Sequence, residues 1–123
     1  SIPERLVLEH EEGNRHDKHA TKVLRMNGQQ PGYLPQDQAK TLIDDFFKPD
    51  GCLYSAFVIG REPLDDARSI FTLNICVFMA LPSADEKAVR LYVSSTIEEL
   101  GTGLQLEDAI PTTPLISKKR VPQ

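Results

Sequence analysis

The stretch from residue 69 to residue 81 constrains the fold more than any other part of the chain, because its apolar side chains alternate strictly. The alternating set is Phe71, Leu73, Ile75, Val77, Met79 and Leu81. Strict alternation over such a length is typical of a β-strand with one buried face. A single strand cannot bury that face alone, so the chain must contain a sheet.

Four more strands are predicted before this one, over residues 5–10, 20–26, 30–34 and 52–60. Asn27-Gly28 separates the second of them from the third. This dipeptide is the strongest hairpin signal in the chain and predicts a type I′ turn, in which both central residues have positive φ. The sheet is therefore expected to be mostly antiparallel.

A first helix is predicted over residues 35–48, with Pro35 in its first turn, where the missing N–H costs nothing. Its apolar residues recur at helical spacing and form one stripe: Ala39, Leu42, Ile43, Phe46 and Phe47. We expect this stripe to be buried. Replacing Phe46 with Ala should then cost about 3–5 kcal/mol if the side chain is fully buried.

A second helix is predicted to begin after Ser83, because Ser83 and Glu86 have the spacing of a capping box. Gly101 is its expected end. The predicted buried stripe consists of Val89, Tyr92, Val93, Thr96, Ile97 and Leu100. Residues 102–123 show no clear period and read as an extended tail. The tail ends in a basic cluster, Lys118-Lys119-Arg120, which we interpret as solvated and dispensable for folding.

Together these elements predict an α+β fold: a small, mostly antiparallel, OB-like β-barrel with two packed helices. We expect residues 1–82 to form the barrel and residues 83–123 the C-terminal helix and tail. An incomplete barrel would leave an open strand edge. We expect either residues 103–117 or a second molecule, in a homodimer, to cover it. The apolar anchors available in the tail are Leu104, Leu106, Ile110, Leu115 and Ile116.

Charge and composition narrow the function. The net charge is −4, which argues against non-specific duplex binding, because such binding relies on neutralising many phosphates. No apolar run reaches the length of a membrane helix. Cys52 and Cys76 form no CxxC motif, so we expect two reduced core cysteines of an intracellular protein, nuclear in a eukaryote and cytoplasmic in a bacterium.

Signals for catalysis and metal binding are weak. The chain has no GxSxG, P-loop or GxGxxG motif. Neighbouring acidic residues such as Asp44-Asp45 do not share a helix face. The densest polar cluster consists of His10, His16, Asp17 and His19. His16, Asp17 and His19 lie close in sequence, but no second ligand cluster follows, so a solvated turn is favoured over a metal site. We therefore expect no enzyme, no metal and no cofactor.

One segment is more distinctive, because polar and apolar residues in it keep a fixed order and spacing. The order is Asn14, Asp17, Ala20 and Val23 at intervals of three, then the Asn27-Gly28 turn, then Gly32-Tyr33-Leu34-Pro35 and an amphipathic helix. This order resembles the HIRAN domain, a module of Swi/Snf-type DNA translocases that also occurs alone in bacteria. Phe71 in the last long strand extends the resemblance, which covers residues 6–81.

The resemblance implies a non-catalytic accessory domain that binds single-stranded DNA and captures a free 3′ end, within a larger DNA repair or replication protein. The positions that match the family's DNA-binding residues are Asn14, His16, Asp17, Tyr33 and Phe71. A carboxylate at Asp17 accepts a hydrogen bond from a 3′ hydroxyl and repels a phosphate. Aromatic side chains stack on bases, each contributing about 1–3 kcal/mol.

An alternative stays open, in which the same barrel is a protein–protein interaction module. Three departures from the family pattern favour it: His16 stands where an aromatic residue is usual, Gln36 replaces a basic residue, and residues 1–5 contain no aromatic platform. A patch of cations in and after the loop favours DNA instead: Arg15, Lys18, Lys22 and Arg25.

Overall fold

The computed structural model describes residues 2–63 and 71–119, and the side chains of Pro63 and Phe71 lie outside this description. Residues 69 and 70 of the predicted long strand and the last cation of the basic cluster, Arg120, therefore fall outside it too. Seven strands are described: β1 (Glu4–Glu12), β2 (Thr21–Arg25), β3 (Gly32–Tyr33), β4 (Leu53–Pro63), β5 (Phe71–Ala80), β6 (Thr113–Pro114) and β7 (Ile116–Lys119).

The strands form one sheet whose main path runs β3-β2-β1-β4-β5. Every pairing is antiparallel except that of β1 with β7, which is parallel. The predicted α+β class and mostly antiparallel sheet are thus confirmed. The path ends at β3 and at β5, and no pairing among the described residues joins these two strands. The sheet is therefore unclosed, and the predicted barrel closure is not shown.

The hairpin between β2 and β3 is confirmed, but the predicted type I′ turn is wrong. Among the described residues, only glycines have positive φ, so Asn27 does not adopt the value that this turn needs. Gly28 has φ +90° and donates to the Arg25 carbonyl, while Arg25 donates to the Gln29 carbonyl. The chain thus uses a longer hairpin loop, in which glycine alone takes the positive φ.

Helix α1 covers residues 36–50 in three parts: an α-helical start (Gln36–Thr41), a π-helical stretch (Leu42–Phe47) and a last turn (Lys48–Asp50). The π-helical stretch was not predicted. It precedes Pro49, which has no N–H and whose ring would clash with the carbonyl four residues earlier in an α-helix. The predicted stripe faces the sheet, with Leu42 and Ile43 fully buried.

Phe46 is only partly buried against the first core cluster, so the predicted cost of its removal falls. We expect Phe46→Ala to lower the free energy of unfolding by about 2 kcal/mol, below the 3–5 kcal/mol typical of a fully buried Phe. Urea denaturation checks this value. Asp45→Ala, an exposed position on the same helix, is the control and should change little. Equal stabilities of the two variants would contradict the packing described.

Helix α2 (Glu86–Leu100) begins one residue after Asp85, whose side chain accepts a hydrogen bond from the Ala88 N–H at 3.0 Å. The prediction of Ser83 as the cap was wrong, because the capping side chain belongs to the residue directly before the first turn. Gly101, with φ +60°, ends the helix as predicted. The buried stripe is narrower than predicted: Val93 is buried, whereas Tyr92 and Leu100 are about half exposed.

The core has two parts, one on each face of the sheet. Helix α1 packs with β1 and β4 on the first face, and four of the predicted alternating residues pack toward the same side, namely Leu73, Ile75, Val77 and Met79. Helix α2 and the short helix α3 (Leu106–Ala109) pack on the second face, against Phe57, Cys76 and Phe78. The face of β5 opposite the predicted alternating set therefore carries the fully buried Phe78.

The C-terminal segment folds back onto the sheet, which confirms the expectation that the tail covers an open edge. β1 pairs with β4 over Glu4–Leu6 and then separates from it. The Tyr54 hydroxyl bridges the opening: it accepts from the Leu8 N–H (2.9 Å) and donates to the Leu8 carbonyl (3.3 Å). Beyond it, β6 pairs with β4 and β7 pairs with β1.

Within this segment Leu104 and Leu115 are buried, whereas Ile116 is 59 % exposed and was wrongly predicted as an anchor. Lys118 and Lys119 lie in β7. The prediction of a freely solvated tail is therefore wrong for their backbone, although their side chains are exposed. None of the helices in the described part of the chain is both long and apolar enough to span a membrane.

Candidate functional site

The loop between β1 and β2, residues 13–20, is held in one shape by the side chain of Asn14. Its Oδ1 accepts hydrogen bonds from the His16 N–H and the Asp17 N–H, both at 2.9 Å. Its Nδ2 donates to Glu11 Oε1 at 2.6 Å. Asn14 therefore shapes the loop from within, in the manner of an Asx turn.

Glu11 is the centre of a buried polar network beneath this loop. Its carboxylate accepts from Asn14 Nδ2, from the Tyr33 hydroxyl (3.1 Å) and from Lys22 Nζ (3.2 Å). Burial by itself raises the pKa of the Glu11 carboxyl, but the hydrogen bonds from Asn14, Lys22 and Tyr33 outweigh it and lower the pKa below the ordinary 4.5. Glu11 thus stays ionised and joins the loop to β2 and β3.

The lowered pKa of Glu11 predicts a loss of stability in acid. A carboxyl whose pKa is depressed in the folded state contributes its full stability above its unfolded pKa, here 4.5, and loses it as the pH falls through the folded value. Glu11→Gln should cost about 1–3 kcal/mol at neutral pH and should flatten the pH dependence below about 4.5. Chemical denaturation between pH 3 and pH 7 measures both effects.

The control for this prediction is Glu12→Gln, because Glu12 is the next residue in β1 and is exposed. It should match the parent at every pH. If Glu11→Gln and Glu12→Gln behave alike, Glu11 does not hold the network together.

Asp17 and His19 tie the far side of the loop to helix α1. Asp17 Oδ1 accepts from the His19 N–H at 2.9 Å and lies 3.5 Å from His19 Nδ1. His19 Nε2 lies 3.0 Å from Asp44 Oδ2, and Lys48 pairs with the same carboxylate of Asp44 at 3.1 Å. The Asp17 side chain is still 25 % exposed, so a ligand can reach part of it.

His10 fixes the loop from a third direction. Its Nε2 lies 2.9 Å from the Lys18 carbonyl oxygen, which can only accept, so Nε2 carries the proton. In the neutral ring, Nδ1 is then the acceptor for the Ser117 hydroxyl, 2.5 Å away. The ring also packs edge-on against Phe47, with 5.7 Å between centroids. His10 thus connects the loop to β7 and to helix α1.

Beside the loop, part of one sheet face is open to solvent. Arg5 pairs in register with Phe57, which packs against helices α2 and α3. Alternate residues of a strand point to the same face, so Arg5, Val7, Glu9 and Glu11 lie on the face that these helices cover farther along the sheet. At the β3-β2-β1-β7 end of the sheet, among the described side chains, this face carries Tyr33, Lys22, Ile116 and Lys118. Tyr33 is 48 % exposed, so its ring is accessible from solvent.

Four of the five predicted site residues therefore lie in one loop or next to it. Asn14, Asp17 and the exposed His16 belong to the loop, and Tyr33 meets Asn14 through Glu11. Strand pairing does not bring Phe71 to this loop. Its backbone begins β5 opposite Pro63, beyond the start of β1, whereas the loop follows the end of β1. The side chain of Phe71 lies outside the described part. A role for Phe71 stays a prediction.

Two residues organise the loop: the sequence analysis missed Glu11 and considered His10 only as a member of a polar cluster. It ended the first strand at His10, whereas β1 continues to Glu12 and Glu11 is buried. The alternation of Leu6, Leu8 and His10 was the available signal, because it puts His10 on the core-facing side. Within the described residues, no group of three His, Cys, Asp or Glu side chains is arranged to hold a metal ion.

A cavity lies at the other end of β1, where Glu4 pairs with Arg25 at 2.7 Å. Its walls come from residue 2, the β2–β3 hairpin and the middle of the β4–β5 pair, including Leu73. It is separated from the loop by the length of β1.

An α+β fold with an unclosed sheet, part of one face of which is exposed to solvent beside a loop held by internal hydrogen bonds, is typical of a small binding domain. The family model of the HIRAN domain matches residues 1–73, more than half of the chain. The chain therefore belongs to the HIRAN domain family, a family of domains that bind single-stranded DNA. Comparison with curated proteins and with solved structures gives no match.

Proposed function

We propose that this chain is a non-catalytic DNA-binding domain that captures the free 3′ end of a single strand. The observation that carries the proposal is the Asp17 carboxylate, partly exposed on a loop whose backbone is fixed by Asn14 and His10. A fixed carboxylate accepts a hydrogen bond from a terminal hydroxyl and repels the phosphate that follows every internal nucleotide. It therefore distinguishes an end from the middle of a strand.

Tyr33 supplies the second part of the proposed site. Its hydroxyl is bonded to Glu11, which restricts the ring, while the ring itself is exposed. An exposed aromatic ring held in place is suited to stacking on a base, which contributes about 1–3 kcal/mol. Asn14 and His16 belong to the proposed site as loop residues. We propose Phe71 as a further contact to a base.

The acidic character of the chain is compatible with this role. A protein of net charge −4 is poorly suited to coat a strand by neutralising phosphates, but end recognition needs only a few local contacts. We propose that residues 1–82 hold the site, that residues 83–123 complete the sheet, and that the domain serves a larger DNA repair or replication protein.

Fluorescence anisotropy with 5′-labelled oligonucleotides tests the proposal. A single strand with a 3′ hydroxyl should bind about tenfold more tightly than the same strand with a 3′ phosphate, because a hydrogen bond to a charged group contributes about 1.5–3 kcal/mol. A blunt duplex should bind weakly. Equal affinity for the two single strands, or no binding, would contradict the proposal.

The alternative of a protein–protein interaction module rests on exposed apolar side chains of helix α2, Leu91 and Leu100. Single exposed apolar residues are common on protein surfaces, so this observation is the weaker one. An absence of DNA binding in the titration above would favour the alternative.

A further inference from the structure

Two ion pairs on the open sheet face share the same layered arrangement. Lys22 Nζ lies 3.2 Å from Glu11 Oε2, and Lys118 Nζ lies 3.3 Å from Glu9 Oε2. In both pairs the carboxylate lies below the surface, with 7 % of the Glu11 side chain and 16 % of the Glu9 side chain exposed. The lysines stand above them, at 29 % for Lys22 and 66 % for Lys118. A ligand approaching this face therefore meets ammonium groups before carboxylates.

Strand β7 brings one of these cations to the candidate site. Lys118 is paired in register with Glu11, the residue that organises the loop, and Lys119 with Glu12, where β1 ends and the loop begins. The Ser117 hydroxyl contacts His10, which also holds the Lys18 carbonyl of the loop. The position of β7 is thus coupled to the loop by side-chain contacts as well as by strand pairing.

We propose that Lys118 of β7, together with Lys22 of β2, contacts backbone phosphates of the nucleotides that precede the captured 3′ end. This inference rests on the proposed function and extends it to a strand outside residues 1–73, which the family model matches. The ammonium group of Lys118 has three donors, and an exposed ion pair is weak. Lys118 can therefore bind a phosphate oxygen while it remains close to Glu9.

The test is a salt titration of DNA binding by the full chain and by Lys118→Gln, with Lys87→Gln as the control. Lys87 is an exposed lysine on helix α2. Loss of one phosphate contact to a single strand should reduce the slope of log affinity against log salt by about 0.7. Affinity for 3′-hydroxyl and 3′-phosphate strands should fall by the same factor, so the preference for the hydroxyl end should not change. Lys87→Gln should behave as the parent.

A second variant, Glu9→Gln, tests the layered arrangement independently. It removes the Glu9 carboxylate that pairs with Lys118. A DNA phosphate would then no longer compete with this carboxylate for the ammonium group, so the DNA should bind more tightly. Thermal unfolding of each variant checks that the fold is kept, and if Lys118→Gln is unstable, Glu9→Gln decides alone.

Two other outcomes overturn the inference and separate it from the proposed function. In the first, the parent prefers 3′-hydroxyl ends, but Lys118→Gln binds DNA with unchanged affinity and salt slope, or Glu9→Gln fails to strengthen DNA binding. In that case β7 is not part of the interface and the proposed function stands. If the parent binds no single-stranded DNA, both are wrong.

Discussion

A chain that ends at Leu100 should lose its cooperative unfolding transition and aggregate. The truncation removes Leu104 and Ala109 from the second core cluster and Leu115 from the first. It also removes the hydrogen bond from the Leu115 N–H to the Cys52 carbonyl (2.8 Å) and the strands that pair with β4 and β1. Each fully buried Leu contributes about 1.5–3 kcal/mol, so the loss approaches the 5–15 kcal/mol that stabilises a typical domain.

Two adjacent residues in the C-terminal segment provide a matched pair of point variants. Leu115→Ala should lower the free energy of unfolding by about 2–5 kcal/mol, because the side chain is buried in the first cluster. Ile116→Ala should change it by less than about 0.5 kcal/mol, since Ile116 is exposed. Urea denaturation and size-exclusion chromatography measure the set. A truncated chain that remains a monodisperse, equally stable monomer would show that the segment does not support the sheet.

Asp17→Asn should abolish the preference for 3′-hydroxyl ends. The substitution keeps an oxygen that can accept from the His19 N–H, so the loop retains its shape, but it removes the charge that repels a phosphate. Affinity for the 3′-hydroxyl strand should fall about tenfold or more, since hydrogen bonds to charged groups contribute about 1.5–3 kcal/mol. Affinity for the 3′-phosphate strand should stay the same or rise.

Asp108→Asn is the control for Asp17→Asn, because it makes the same change of charge at an exposed position on helix α3. Its preference for the hydroxyl end should equal that of the parent. If both variants change the affinity for the two strands by the same factor, the effect is one of overall charge and Asp17 has no role at the end.

Local sequence patterns predicted most of the elements of this fold. Alternation in residues 71–79 and the helical spacing of Ala39, Leu42 and Ile43 correctly identified a long strand and a sheet-facing helix. The family order around Asn14, Asp17 and Tyr33 identified the region where the structure forms a polar network. These features are encoded by residues close together in sequence.

Features that depend on distant residues were not predictable in this way. Nothing near Lys118 indicates that it pairs with Glu11, because parallel pairing of β7 with β1 is decided by the gap that β1 and β4 leave. The burial of Glu11 likewise depends on Lys22 and Tyr33 from two other strands, which together compensate for its desolvation. A glutamate in a polar stretch looks solvated until its partners are known.

The true cap of helix α2 was missed for a different reason, because two residues near the start of the helix satisfy the same capping rule. Ser and Asp are both favoured at the N-cap, so Ser83 and Asp85 are both good candidates. The helix begins at Glu86, which makes Asp85 the cap. The sequence alone does not show at which residue the helix begins.

The most direct test of the account is a map of backbone amide shifts when the ¹⁵N-labelled full chain is titrated with a single strand carrying a 3′ hydroxyl. We expect the largest shifts at His16, Asp17 and Tyr33, with smaller ones at Lys118, and we expect the loop shifts to shrink with the 3′-phosphate strand. Shifts confined to helix α2, or to the cavity near Arg25 and Leu73, would place the DNA elsewhere and contradict the account.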